Sequence, residues 1–495
     1  MSNPIKKLAG QTAVYGVSSI VGRLLNYLMV PLYVTVFANT SDYGVVSELY
    51  AWIAFLMVFL TFGMETAYFK FLSDYPVEKR KSIFRNSLLC VLSVNGVFLL
   101  LILVFSGPIA DVMLFSEHPE YIVLLGLIVT IDAVSALPLA KLRAEERAKK
   151  FAGIQLTGIA VNIGLNLVLM LVVFDPETQD PAVGIRYILI ANLISSLIKP
   201  AFLYKDFLRL KWIWDFTLVR AMIKYSLPLA IAGFAYIINE TFDRILLKHV
   251  TYHSVSGEMT EKAALLYAES QVGIYSASYK LAMLVTIFLQ AYRYAAEPFF
   301  FAQAKQKDRN NTYVKVMNYF VGAVLLCFLG VSLNLDIFKY FIPNSAYWEG
   351  LKVVPILLMA NVFSGIYINQ SIWYKLSGQT KFGAYIAMGG AVLTITLNFV
   401  FITVYGYMAC AWATFIVYGG QMVASYFLGQ KHYPIPYNLR KFALYMSVAL
   451  VLYLVFSWIN ISFGWMQVVI HNIAILLFVG LIYWMEKPRL DAPTR

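Results

Sequence analysis

Long apolar segments alternate with short polar stretches along almost the whole chain. A helix needs about 20 consecutive apolar residues to cross a bilayer, and roughly fourteen segments reach that length. We interpret each of them as a membrane-spanning helix, so the pattern predicts an all-α integral membrane protein. The predicted spans are residues 11–37, 44–70, 84–106, 120–140, 151–174, 184–203, 224–248, 271–297, 314–334, 350–374, 383–404, 407–428, 441–459 and 466–485.

The composition supports this class. The 495 residues are 60% hydrophobic and 13% charged, with a mean hydropathy of +0.69, whereas a soluble domain is about half apolar and a quarter charged. Residues 1–10 lead into a span-length segment without a short apolar core and cleavage site, so we predict no signal peptide. The three cysteines lie in apolar segments and the five histidines have no ligand spacing. We therefore expect no disulfide, metal or cofactor.

Lysine and arginine are concentrated in alternate loops. Because these residues favour the cytoplasmic side of a membrane, the alternation predicts that both termini are cytoplasmic and that the number of spans is even. Topology then accounts for most of the net charge of +12, which argues against a nucleic-acid partner; Lys262 and Lys339 depart from the pattern. The loops on the opposite side, without lysine or arginine, are residues 38–43, 107–119, 175–183, 405–406 and 460–465.

The second half of the chain repeats features of the first at an offset of roughly 220–230 residues. The pattern Gly44-x-x-Ser47-x-x-Tyr50 opens the second predicted helix, and Gly273-x-x-Ser276-x-x-Tyr279 opens the eighth. The shared order of such matches predicts two six-helix halves with the same orientation. Transporters place their substrate at the interface between such repeats.

Cations lie deep inside several predicted spans. Arg23 is near the middle of the first span, where its guanidinium stays charged at an expensive depth. Ser19 and Asn26 share its helical face. Arg23 either faces a cavity or pairs with a carboxylate that fixes the packing. With Arg244 and Lys280 in the second half, it predicts a cationic cavity suited to a large anion.

Five acids also lie within predicted spans, and each is a candidate counter-ion or a protonation site coupled to an ion gradient. The sequence does not choose between these roles. Glu240 and Arg244 have the spacing of an intrahelical pair, whereas Asp243 points about 100° away and would meet another helix. The five are Glu48, Glu65, Asp132, Glu240 and Asp243.

Six short motifs, in this order and at this spacing, carry a resemblance that covers the whole chain. They are Ala9-Gly10-Gln11-Thr12, Gly22-Arg23, Ser41-Asp42-Tyr43-Gly44, Gly63-Met64-Glu65-Thr66-Ala67, Asp243-Arg244 and Gly273-x-Tyr275-Ser276. With the fourteen predicted spans, they resemble the polysaccharide transport (Wzx-type flippase) branch of the multidrug/oligosaccharidyl-lipid/polysaccharide exporter superfamily.

The resemblance implies two six-helix lobes in a V around a central cavity, with two extra C-terminal helices. The expected domains are an N lobe at 1–215, a C lobe at 216–432, and helices thirteen and fourteen with a cytoplasmic tail at 433–495. In that family, cations lining the lobes are implicated in handling the pyrophosphate or acidic sugars. Arg23 and Arg244 sit at such positions, and Lys280 is a looser match.

The resemblance also implies a function. It is the flipping of a polyprenyl-pyrophosphate-linked oligosaccharide across the bacterial inner membrane by alternating access, which makes the protein a transporter and not an enzyme. The expected partners are this substrate, membrane lipid, a proton or sodium gradient, and polysaccharide polymerase or assembly proteins. The extra pair of helices resembles the pair that helps hold the lipid tail in peptidoglycan-precursor flippases.

Other functions fit parts of the pattern. A peptidoglycan-precursor flippase has the same span count, whereas a drug exporter of the superfamily usually has twelve spans and an acidic cavity. A membrane glycosyltransferase or polymerase tends to carry a sizeable extracytoplasmic loop. The longest such loop predicted here, near 249–270, is small and lacks an acid pair beside a substrate-sized cleft. The repeat and the scattered deep charges suit a carrier better than a channel.

Overall fold

The computed structural model describes residue 24 and residues 27–208, 211–304, 306–459 and 464–486. Over these ranges the chain is helical, which confirms the predicted all-α class. The helices are α1 (Tyr27–Val36), α2 (Thr40–Thr61), α3 (Met64–Asp74), α4 (Arg80–Val112), α5 (Pro119–Ala144), α6 (Ala148–Val168), α7 (Pro181–Phe202), α8 (Tyr204–Leu208), α9 (Phe216–Val255), α10 (Glu261–Gln303), α11 (Arg309–Leu333), α12 (Leu335–Phe338), α13 (Val354–Gln370), α14 (Ile372–Leu376), α15 (Lys381–Tyr405), α16 (Tyr407–His432), α17 (Leu439–Ser457) and α18 (Gly464–Glu486).

Twelve helices among the described residues are long and apolar enough to cross a membrane. They match twelve of the predicted spans. The predicted span 11–37 corresponds in its described part to the short α1, and 407–428 corresponds to α16, which has 26 residues but is less apolar than the twelve. The count of fourteen and the cytoplasmic termini stay predictions.

The second predicted helix, 44–70, is interrupted in the structure. α2 ends at Thr61 and α3 begins at Met64, because Phe62 and Gly63 have positive φ angles of 33° and 71°. Such angles end a helix and favour glycine. The side-chain amide of Asn95 in α4 donates to the carbonyl of Leu60, at 3.1 Å, so a carbonyl next to the break gains a partner.

The predicted loop 249–270 was wrong, because α9 and α10 extend into it from both sides. Only residues 256–260 separate the two helices. The 40 residues of α9 span about 60 Å, twice the thickness of a bilayer core. Hydropathy predicts that a helix ends where polar residues begin. The hydrogen-bonded backbone of α9 and α10 instead continues past the apolar segment.

Two compact units make up the chain. The first holds the residues up to Ser276 together with Ala387–Cys410; within it α2 packs on α9, α4 on α5, and α6 on α7. The second holds Ala277–Ile386 and the residues from Ala411 onward, with α11 packed on α13, α17 and α18. The division into lobes at 215 and 432 stays a prediction.

Candidate functional site

A buried lysine in α9 contacts two carboxylates from other helices. The Lys248 ammonium lies 3.0 Å from Oε2 of Glu48 in α2 and 3.2 Å from Oε1 of Glu269 in α10. The side chains of Lys248 and Glu48 are completely buried, and that of Glu269 is 9% exposed. We call these three residues the Lys248 cluster. Because a buried charge is costly without partners, the cluster ties three helices together.

The connection between α4 and α5 closes the cluster from another side. The Lys248 ammonium donates weakly to the carbonyls of Met113 and Leu114, at 3.4 and 3.3 Å. It also lies 3.5 Å from the ring centroid of Phe115, within the range of a cation–π interaction. These contacts supply the ammonium with neutral partners and exclude solvent from it.

The backbones of α2 and α10 cross beside the cluster at two glycines. A Cβ on Gly44 would lie 2.0 Å from the carbonyl oxygen of Glu269, and a Cβ on Gly273 would lie 1.9 Å from that of Thr40. Each glycine therefore contacts the residue four positions before the other glycine, which is the reciprocal geometry expected of two repeat-related helices. The hydroxyls of Thr40 and Ser270 add a hydrogen bond of 2.5 Å.

Arg244 lies one helical turn before Lys248 and is almost completely buried. Its guanidinium is 3.1 Å from the carboxylate of Asp243 and 3.0 Å from the carbonyl oxygen of Glu240. Tyr275 in α10 donates its hydroxyl to the other Asp243 oxygen at 2.6 Å. The prediction that Asp243 meets another helix is therefore confirmed.

Two further predicted acids pair with cations on neighbouring helices. Asp132 in α5 accepts from Lys199 in α7 at 2.7 Å, and Glu65 in α3 pairs with Arg143 at the end of α5. These pairs are partly exposed, in contrast to the Lys248 cluster. The structure therefore assigns cationic partners to both acids, while their role in coupling stays a prediction.

The remaining predicted residues lie elsewhere. Arg23, Ser19 and Asn26 fall outside the described residues. Lys280 is half-buried on α10 in the second compact unit, and Glu240 is half-buried on α9 in the first. The structure brings together Asp243 with Arg244, and Glu48 with Lys248; the cavity roles of Arg23, Arg244 and Lys280 stay predictions.

The predicted site residues did not include Lys248, Glu269, Lys199 or Arg143. Glu269 was assigned to a loop, although it lies one helical turn before Gly273 and on the same face. Continuing the helical period back from Gly273 would have placed it beside the crossing. Among the described residues, no group of three histidine, cysteine, aspartate or glutamate side chains is arranged to hold a metal ion.

Comparison with known proteins adds a family and a fold. The family model described as "Polysaccharide biosynthesis protein" matches residues 8–302. The structure is similar to the lipid II flippase MurJ in an inward closed conformation, with a TM-score of 0.68 and 15% identity over 96% of this chain and 99% of that one. No match was found among the curated proteins.

Multidrug transporters of the MATE family share the fold as well. An inward-facing multidrug resistance transporter of the MATE family, itself described as a member of the MOP superfamily, aligns with a TM-score of 0.61 and 14% identity over 87% of this chain and 96% of that one. A MATE structure in the straight conformation aligns with a TM-score of 0.58 and 13% identity over 90% of this chain and 97% of that one. Identities this low establish the fold alone. The family model covers more than half of the chain, so the protein belongs to the polysaccharide biosynthesis protein family.

Proposed function

We propose that the protein flips a polyprenyl-pyrophosphate-linked oligosaccharide, the repeat unit of a surface polysaccharide, across the bacterial inner membrane by alternating access. The observation that carries the proposal is the combination of a polysaccharide family match over residues 8–302 with the fold of a lipid flippase over 96% of the chain. The first points to a saccharide, and the second to a lipid-linked one.

The cations of the two halves are the proposed contacts for the substrate. We assign Arg23, Arg244 and Lys280 to a cavity between the lobes, where they bind the pyrophosphate or acidic sugars. The buried position of Arg244 beside Asp243 supports this role, because its charge is held in place by a fixed carboxylate before substrate arrives. A proton or sodium gradient supplies the energy, and a polysaccharide polymerase receives the product.

A peptidoglycan-precursor flippase is the second candidate. The match to MurJ covers 96% of this chain, whereas the MATE structures cover 87% and 90%. This difference favours a lipid-linked substrate over a drug. The two lipid-linked candidates differ in the sugar, so they are separated by the compound that accumulates when the protein is removed.

Deletion of the gene tests the proposal. We expect surface polysaccharide to disappear and its lipid-linked repeat unit to accumulate on the cytoplasmic side, with peptidoglycan synthesis unchanged. Accumulation of a peptidoglycan precursor instead would favour the second candidate. In vesicles containing the purified protein, flipping of a fluorescent lipid-linked oligosaccharide should respond to an imposed proton or sodium gradient, and indifference to both would contradict gradient coupling.

Substitutions of Arg23 test the cavity assignment in the complemented deletion strain. We expect Arg23→Ala to abolish surface polysaccharide export and Arg23→Lys to retain part of it, because lysine keeps the charge but loses the forked donors. Arg293→Ala is the matched control, since Arg293 is an exposed cation on α10. Normal export by Arg23→Ala at normal protein abundance would contradict the assignment.

A further inference from the structure

The Lys248 cluster has more negative than positive groups. Glu48 and Glu269 face one ammonium, so the cluster would carry a net charge of −1 with both carboxylates ionised. The side chains of Lys248 and Glu48 have no exposed surface. A net charge in such a site is unfavourable, and buried groups avoid it by changing protonation.

One oxygen in the cluster also lacks a hydrogen-bond donor. Oε1 of Glu48 accepts from the indole of Trp52 at 3.3 Å. Oε2 is completely buried and lies at ion-pair distance from Lys248, but no donor among the described residues is oriented to hydrogen-bond to it. One proton held by the pair of carboxylates would neutralise the cluster.

Among the described residues, the charges that act on Glu269 are one cation, Lys248 itself, and two acids, Glu48 and Asp42, while the charged residues at the start of α10, Glu261 and Lys262, are exposed. On α2 the other charged residue is Asp42, and its negative charge repels that of Glu269, as the charge of Glu48 does. On α9, Arg244 is paired with Asp243, and the ring of His249 faces the carbonyls of Ile245 and Val112. The connection between α4 and α5 presents the carbonyls of Met113 and Leu114 and the ring of Phe115.

The cluster also occupies a contact that alternating access has to break. It joins α2 of the first predicted lobe to α9 and α10 of the second, beside the crossing of Gly44 and Gly273. The loop charges predict that this end of the helices faces the outside of the cell. Separation of the helices would admit water, in which both glutamates are ionised at neutral pH.

We propose that the Lys248 cluster is a proton-binding site of an outer gate: closure of α2 against α9 and α10 takes up one proton, and opening releases it. This inference rests on the alternating access of the proposed function. Because one proton is bound on closure, the ratio of closed to open protein rises tenfold for each pH unit that the solution is acidified, over the pH range in which the closed cluster holds the proton and the open one has released it. Outside acidity therefore favours the closed gate.

The pH slope should follow the number of carboxylates minus the number of ammonium groups. Glu48→Gln or Glu269→Gln leaves one carboxylate against Lys248, so closure takes up no proton and the ratio becomes independent of pH. The double variant Lys248→Met with Glu269→Gln leaves one carboxylate and no ammonium. It should regain the tenfold dependence, which a purely structural role of these side chains would not produce.

Double electron–electron resonance between nitroxide labels measures the ratio of closed to open protein. The labels are placed at Ser116→Cys and Gly257→Cys, on exposed connections beside the cluster, in full-length protein whose three native cysteines have been replaced. The control Glu486→Gln changes a half-buried glutamate that faces one lysine, Lys441, and should keep the tenfold slope.

The outcomes are distinguishable. A single distance at every pH, a flat wild-type profile, or a slope unchanged in Glu48→Gln and Glu269→Gln overturns the proton site. Flipping assays on the same protein in vesicles separate the two proposals. A tenfold slope without flipping counts against the proposed function and leaves the proton site standing, whereas flipping with a flat profile overturns the proton site alone.

Discussion

At the scale of single residues, Asp243 contacts side chains of α9, α10 and α16. One carboxylate oxygen faces the guanidinium of Arg244, and the other accepts from the Tyr275 hydroxyl at 2.6 Å. The thiol of Cys410 lies 3.8 Å from the Asp243 carbonyl. An aspartate in this position fixes a buried arginine and joins α9 to α10, so its charge and its hydrogen-bonding capacity make separable contributions.

Asp243→Asn and Tyr275→Phe separate the two contributions. Asparagine still accepts from Tyr275 but leaves the Arg244 charge without its carboxylate, and removing one partner of a buried pair costs about 3–5 kcal/mol in the free energy of unfolding. Phenylalanine removes only a hydrogen bond to a charged group, worth about 1.5–3 kcal/mol. Denaturation of the purified protein in detergent measures both; an Asp243→Asn cost equal to or below that of Tyr275→Phe would show that the charge pair is unimportant.

The sequence predicted which acids of this region are candidate site residues better than it predicted which cations they contact. That Asp243 points toward another helix follows from 100° per residue, and the structure confirms it. That Glu48 meets Lys248 and that Asp132 meets Lys199 do not follow, because residues about 200 and 67 positions apart become neighbours only through helix packing. Glu269 was missed for a different reason, since the end of a helix beyond the hydrocarbon region has no apolar signal.

At the scale of elements, the crossing of α2 and α10 depends on two missing side chains. Small residues let membrane helices approach closely, and the contact then holds by packing and hydrogen bonds. Here the approach is close enough that a single methyl group would overlap a backbone carbonyl of the other helix. A backbone atom has no rotamer to change, so the helices themselves would have to move apart.

Gly44→Ala and Gly273→Ala should each separate α2 from α10. We expect loss of export and a lower unfolding temperature, with the helical content unchanged. Gly96→Ala is the matched control, because Gly96 lies inside α4 and a Cβ there meets no atom within 4 Å. It should be neutral or stabilise the protein by about 0.4–1 kcal/mol. Export assays, circular dichroism and thermal unfolding check these outcomes, and full export by both variants would contradict the close crossing.

The sequence shows the motif at this crossing as a repeat, but it does not show that the two glycines bring α2 and α10 into contact. Gly44-x-x-Ser47 and Gly273-x-x-Ser276 were matched as repeated openings of two helices, and in the structure the two glycines contact each other's helix. The break at Phe62 and Gly63 could not be predicted in the same way. Phe62 has a positive φ that its residue type does not favour, so tertiary packing decides the conformation.

At the scale of the whole molecule, the orientation of α17 and α18 depends on whether α16 crosses the membrane. α16 is not among the twelve helices that are long and apolar enough to span, yet the basic residues Lys381 at the start of α15 and Lys431 near the end of α16 require two crossings between them if both are cytoplasmic. Gly406, with a φ of +52°, separates α15 from α16 and provides the turn at the opposite side. Without a crossing by α16, α17 and α18 would be inverted and the C-terminus would lie outside.

Cysteine labelling in intact cells decides this point. In a background without native cysteines, we expect Tyr405→Cys to react with a membrane-impermeant thiol reagent added outside, and Lys431→Cys to react only after lysis; both positions are exposed. The same experiment at Gly257 should give labelling from outside, which places the Lys248 cluster at the outer end of α9. Labelling of Lys431→Cys from outside would mean that α16 does not cross, because both ends of α16 would then lie on the outer side of the membrane. The positive loop after α16 would in that case need another explanation, whereas a lack of outside labelling at Gly257 would contradict the orientation of the outer gate.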